Sequence, residues 1–424
     1  MRVLLISANR EKIIMRTLPL GLASVAAAAK RAGHDVKMAD LIEAQDPQAM
    51  LVEAIREFQP EIIGISIRNI DDQNMGKPVF FLDQVRGILS HIRSLTGVPI
   101  VLGGAGYSIF PESTLEYLGA DMGIQGEGEI VFPALLKGIQ LNQNISDLPG
   151  LYRKGSKTVA NRMFEKDLDR MPFPDTSLLA VDATDDPSFL FPIQSRRGCP
   201  MNCSYCSTPT IEGRRIRKHS IHSIVQEMSK WFKAGVSNFH FVDNTFNFPP
   251  MYAKGICNEM IKAQLPVKWR CIIYPAKIDE MLVKSMAKAG CSEIAIGFES
   301  GSKSILQRMN KRFDCEDVRL LCKMFSDHGI RQMGFLLLGG PGETTETVIE
   351  SLQFADSLPL DLLKITAGIR IYPYTQIAKS AISDRKLSPE NTLLFPGFYL
   401  ANGLEGWLPE TLHNWCEKRP HWVS

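Results

Sequence analysis

Two successive stretches of this chain alternate short apolar runs with longer amphipathic segments. In the first, Arg2–Ser7 and residues 36–39, 61–67 and 98–103 are apolar or β-branched runs of strand length. Between them, residues 20–32 and Pro47–Phe58 have helical content and period. Strands alternating with helices predict a parallel sheet covered on both faces. Residues 1–145 are therefore expected to form a Rossmann-like, doubly wound domain. Ligands of such sheets bind beyond the carboxyl ends of the strands. Three loops fall there: 7–10, 66–72 and the glycine-rich Gly103-Gly-Ala-Gly-Tyr-Ser108.

Residues 146–190 lose this alternation. Asp147-Leu-Pro-Gly150 and Met171-Pro-Phe-Pro-Asp175 cluster Pro, Gly and Asp without a period, which predicts a linker. The second alternation starts at 191. Strands are expected over 191–195, 238–242, Lys268–Ile273, 293–298, 332–338 and 363–371. Helices are expected over 220–234, 251–263, 279–289, 303–309, 315–328 and 344–357. Strand–helix units in this number suit an open, partial (β/α)6 barrel of the TIM type over 191–375, with its chemistry at the C-terminal strand ends. Residues 376–424 read as a short C-terminal cap whose aromatic residues, Trp407 and Trp422 among them, pack over the barrel.

Composition narrows the classes of function. A chain of 424 residues with 45% hydrophobic content can bury the cores of two or three domains. Its net charge of +2 makes no electrostatic case for nucleic acid. No apolar run approaches the roughly 20 residues that span a bilayer. Met1-Arg-Val-Leu-Leu-Ile-Ser7 reads as a strand and not as a signal peptide. The nine cysteines are an odd number without the spacing of a disulfide framework, which points to a reducing cytoplasm.

Three of those cysteines carry the chemistry. Cys199, Cys203 and Cys206 stand in a C-x3-C-x2-C spacing within Ser195-Arg-Arg-Gly-Cys-Pro-Met-Asn-Cys-Ser-Tyr-Cys206. Thiolates this close in a loop can converge on one soft metal centre. Three are one short of the usual four, so a [4Fe–4S] cluster held this way keeps one iron open to a non-protein ligand. A zinc knuckle with a distant fourth ligand and unrelated free thiols are the other readings. Tyr205 adds an aromatic plane before the last cysteine, and Arg196-Arg197 either tune the charge of the centre or are solvated.

The spacing, with an aromatic residue before the third cysteine, resembles the signature of the radical S-adenosylmethionine (SAM) superfamily. Together with the first domain, it resembles the cobalamin-binding-domain class of radical SAM enzymes, many of which are methyltransferases. The resemblance implies that the open iron binds the amino and carboxylate groups of SAM, and that one electron cleaves SAM to a 5′-deoxyadenosyl radical. It implies a cobalamin (B12) cofactor in residues 1–145, and an electron donor such as flavodoxin or ferredoxin. By position in the family, Asp243 and Asn244 after the second barrel strand would meet the SAM amino group. Glu299 after the fourth would meet the ribose hydroxyls, and Gly339, Gly340 and Glu343 after the fifth would lie near the adenine, with Tyr205 and Ser300 also counted among the SAM-binding residues. Ser66, Arg68, Gly103, Gly104 and Gly106 would face the corrin. Each has a plainer reading as a strand-end turn, a solvated acid or a glycine-rich turn without a ligand.

Two departures qualify the resemblance. The first loop has no Asp-x-His-x-x-Gly, so the cobalt-ligating histidine of the methionine-synthase type is absent, and His34 reads as a surface residue. A domain that has lost its cofactor therefore stays open. Relatives usually have Tyr-Pro-Gly-Thr where this chain has Tyr372-Pro-Tyr-Thr375, so Tyr374 could contact substrate or narrow the site. Arg370 could bind a substrate carboxylate or phosphate, or form an ion pair. The class acts on lipids, tetrapyrroles, peptides and antibiotic precursors. Methyl transfer to an unactivated carbon is the expected reaction; cyclisation, ring rearrangement or other C–H chemistry is the alternative.

Overall fold

A computed structural model describes residues 1–11, 18–42, 44–156, 159–175, 178, 189–276 and 278–423. The chain divides into two compact units. One gathers Met1–Asp72, Val79–Asp182 and Thr208–Gly213; the other gathers Gln73–Pro78, Ala183–Ser207 and Arg214–Ser424.

The first unit is built on β1 (Arg2–Ser7), β2 (Asp35–Asp40), β3 (Ile62–Ser66), β4 (Ile100–Gly103), β5 (Met122–Ile124) and β6 (Leu151–Arg153). Their order is β2-β1-β3-β4-β5-β6, parallel except for β6, which runs antiparallel to β5. Val3, Leu5, Ile62 and Val101 are buried, with Phe132 and Leu135 of the helix Gly128–Gln140 against them. The helix Pro47–Phe58 begins where expected because Asp46 caps it, accepting from the N–H groups of Gln48 and Ala49. β1 lies between β2 and β3, so the direction of strand succession reverses there and opens a crevice past their carboxyl ends.

β6 corrects the expected linker. Residues 151–153 belong to the first sheet, Leu168 is fully buried, and this unit runs on to Asp182. His34 is a second correction. It is 9% exposed, its Nδ1 stands 3.4 Å from the α-amino group of Met1, and burial lowers its pKa.

The second unit contains β7 (Phe191–Ile193), β8 (Arg196–Arg197), β9 (Arg217–Lys218), β10 (Asn238–Phe241), β11 (Lys268–Ile273), β12 (Cys291–Glu299), β13 (Arg331–Leu338), β14 (Leu362–Ala367), β15 (Ile369–Arg370), β16 (Phe398–Tyr399) and β17 (Trp422–Val423). β7, β10, β11, β12, β13 and β14 form one parallel sheet in chain order, the open barrel. The expected strand 363–371 is broken at Gly368, whose φ of +74° turns the chain into β15, antiparallel to β16. The C-terminal segment is more than a cap: β17 adds a seventh strand beside β14, with Trp422 buried at its start. Among the described residues no helix is long and apolar enough to cross a membrane.

Candidate functional site

The cysteine loop leaves β7 and is fastened along its length. Asp243, at the end of β10, is 1% exposed. Its carboxylate accepts from Ser195 N (2.8 Å), Ser195 Oγ (2.5 Å) and Arg196 N (3.2 Å). Arg196 is buried beside it, with Nε at 4.0 Å from Asp243 Oδ2 and Nη2 donating to Thr245 Oγ1. Farther along, Ser204 N donates to Met309 O, and Ser204 O accepts from Ile377 N. Asn310 Nδ2 donates to Asn202 O at 2.8 Å. These bonds fix the loop largely through backbone atoms, whatever the cysteines hold.

Cys199 is buried, and Cys203 and Cys206 are half-buried. Burial pushes the Cys199 thiol up to about 11, and the neighbouring Cys206 and Cys203 push the same way, so the three thiols lie within electrostatic reach of one another. Bound metal deprotonates such thiols. Among the described residues no group of three or more His, Cys, Asp or Glu is placed around a single ion.

The strand-end carboxylates differ from expectation. Asp243 is already engaged by Ser195 and Arg196; burial raises its pKa against the pull of Arg196. Asn244 stays half-buried in the same turn. Ser300 is fully buried, bonded to Ser351 Oγ at 2.9 Å and to Ser302 N. Glu343 Oε2 accepts from Gly339 N (2.5 Å) and Gly340 N (2.8 Å), closing its own turn. Its Oε1 is buried with no hydrogen bond, and burial raises its pKa to about 7. A Cβ on Gly339 would meet Leu400 Cδ1 at 2.6 Å, so packing accounts for that glycine.

Glu299 stays partly open. It ends β12 at a register shift, with φ +64°. Its Oε1 accepts from Tyr205 OH (2.7 Å) and Lys311 Nζ (3.1 Å). A non-glycine residue held left-handed at a strand end stores strain of the kind found at functional sites. Lys311 was not singled out by sequence. No local pattern marks it, because its partners lie 12 and 106 residues away.

Tyr374 is 85% exposed and has φ +64°. A glycine at this position is what the backbone would prefer. Arg370 is held by backbone carbonyls. It is 4% exposed and donates to the carbonyls of Ile371, Leu393 and Leu394.

In the first unit, a cleft lies at the sheet's reversal point, lined by Ala8, Asn9 and Arg10 after β1, Ile67 and Arg68 after β3, and Phe81. Arg68 is exposed at its wall, yet crowding lowers its pKa by desolvation. Among the described residues it has no hydrogen bond or ion pair. Ser66 closes β3 and is half-buried. Gly104 is required by the neighbouring loop and Gly106 is crowded by it: a Cβ on Gly104 would stand 2.4 Å from Ile67 O, and one on Gly106 3.0 Å from Arg68 O. A Cβ on Gly103 would make only an ordinary contact, with Ile124 O at 4.0 Å.

Comparison with known proteins agrees with this division. The family model of the B12-binding domain matches residues 7–136, and that of the radical SAM superfamily matches residues 193–355. An uncharacterized methyltransferase of Pyrococcus horikoshii is 28% identical over 402 residues, covering 92% of this chain and 85% of its own. The tryptophan 2-C-methyltransferase of Streptomyces laurentii is 23% identical, covering 88% and 73%. Among solved structures, the radical SAM methyltransferase TsrM of Kitasatospora setae, with cobalamin and a [4Fe–4S] cluster bound, superimposes with a TM-score of 0.87 at 22% identity, covering 100% of this chain and 90% of that one.

Proposed function

Because the chain belongs to the radical SAM enzymes that carry a B12-binding domain, we propose that it transfers a methyl group from SAM to an unactivated carbon of a small-molecule substrate. In such enzymes the cluster supplies the electron that cleaves SAM, and cobalamin carries the methyl group. The observation that carries the reading is the presence of both halves in one chain: a three-thiol loop at the carboxyl end of β7 and a cleft at the reversal point of the first sheet.

The residues divide the work. Cys199, Cys203 and Cys206 would hold the cluster and leave one iron for SAM. Asp243 would set the entry of the loop through Ser195 and Arg196. Tyr205 and Glu299, joined by a hydrogen bond beside the loop, would be placed to orient SAM. Arg68, lacking any internal partner among the described residues, and Gly103, where a Cβ would meet nothing closer than Ile124 O at 4.0 Å, would face the corrin.

The test is anaerobic purification from cobalamin-fed cells. The expected protein carries about four irons per chain, shows corrin absorbance, and on reduction with SAM forms 5′-deoxyadenosine and S-adenosylhomocysteine. The variant Cys199→Ala/Cys203→Ala/Cys206→Ala should keep its fold and lose the iron. Iron unchanged in that variant overturns the cluster assignment. Absence of corrin, or of S-adenosylhomocysteine, overturns methyl transfer.

A further inference from the structure

Lys311 is an enclosed cation near the cysteine loop. Its side chain is 3% exposed. Nζ donates to Tyr205 OH at 2.9 Å and to Glu299 Oε1 at 3.1 Å. The rings of Tyr205, Phe313 and Tyr274 surround it, with centroids at 5.2, 5.8 and 5.9 Å. Cys203 lies within electrostatic reach of both Lys311 and Glu299, on which they act with opposite sign.

Burial by itself discourages a charged ammonium. Here the Glu299 carboxylate, with Tyr205 and Cys203, outweighs it, and the ammonium stays charged. An isolated buried pair rarely improves stability over an apolar replacement of similar shape, so stability alone is a weak reason for this one. Its distinctive feature is its placement one residue from Cys206 through Tyr205 and in the field of Cys203.

We propose that Lys311 and Glu299 form a charge couple that sets the reduction potential of the cluster held by the cysteine loop, with Lys311 holding Tyr205 and Glu299 in place. Reduction adds one negative charge to the cluster. A nearby cation stabilises that charge and a nearby carboxylate opposes it. Enclosure strengthens both effects, since few water dipoles intervene. The couple thus acts as a matched pair in which each member offsets the other at the cluster. Lys311 is a positioning residue in this scheme, because it acts through the field and through Tyr205 and Glu299.

This inference rests on the cluster assignment above, and its test separates the two. The cluster's midpoint potential is measured by electron paramagnetic resonance titration of the full-length protein without SAM. Lys311→Met leaves Glu299 unopposed and should shift the one-electron equilibrium at least tenfold towards the oxidised form, about 59 mV. Glu299→Gln should shift it in the opposite direction. Lys311→Met/Glu299→Gln, which buries no lone charge, should return towards the wild-type value, and Lys311→Arg should restore it. If Lys311→Met loses its fold, Glu299→Gln and the double variant still give opposed and restored shifts. Potentials that agree in all variants, or shifts of one sign throughout, overturn the charge couple. A wild-type protein with no four-iron signal overturns the cluster assignment itself.

Discussion

The barrel and the first sheet use charged side chains at their strand ends in opposite ways. In the barrel, Asp243 and Glu343 turn back onto the protein: one accepts from Ser195 and Arg196, the other from Gly339 and Gly340. Arg370, just past β14, is taken up by three carbonyls. In the first sheet, Arg68 stands at the same kind of strand end with no partner among the described residues. A charged residue at a strand end is therefore ambiguous. It becomes a ligand candidate only when its hydrogen-bonding capacity is not already occupied, which favours Arg68 over Asp243.

The contrast is breakable by substitution, and the largest effect should come from the barrel. Asp243→Ala leaves Ser195 N and Arg196 N without their acceptor and the buried Arg196 guanidinium without its counter-charge. Urea unfolding should show a loss of about 3–5 kcal/mol, together with poor iron retention. A near-neutral result would mean that Asp243 faces a ligand after all.

A smaller, pH-dependent effect is expected at Glu343. Its folded pKa, about 7, lies above the 4.5 of the exposed side chain. The folded state binds the extra proton between those values. The contribution of Glu343 is thus greatest below about 4.5 and is lost as pH rises through about 7, at up to about 1.4 kcal/mol per pH unit. Unfolding measured across that window should show this slope in the wild type and lose it in Glu343→Gln. A slope unchanged by the substitution would assign the titration elsewhere.

The smallest effect on stability should be at Arg68. Arg68→Ala should alter unfolding by no more than about 0.5 kcal/mol while lowering the corrin retained per chain. Marked destabilisation with corrin intact would remove the contrast between the two regions.

Most of the scaffold was readable in the chain. The apolar run Lys268–Ile273 and the helix Pro47–Phe58 appear with the bounds that pattern alone suggests. β5 and β6, three residues each, are too short to carry a period, so β6 was lost in the expected linker. The cysteine loop was legible because its donors are adjacent in sequence. Lys311 was not, since its meaning comes from Tyr205 and Glu299 on other elements. The glycine run 103–106 was half legible. Spacing suggested a ligand, whereas Gly104 is required by Ile67 O, an adjacency created only by folding.

The anchoring of Ser204 and Asn202 has a practical consequence. Ser204 is gripped from Met309 on one side and Ile377 on the other, and Asn202 O is held by Asn310, with no thiol taking part. Chelating the iron would empty a socket whose walls remain standing. Inorganic iron and sulfide could then be returned to the already folded polypeptide, without a chaperone or a cycle of denaturation.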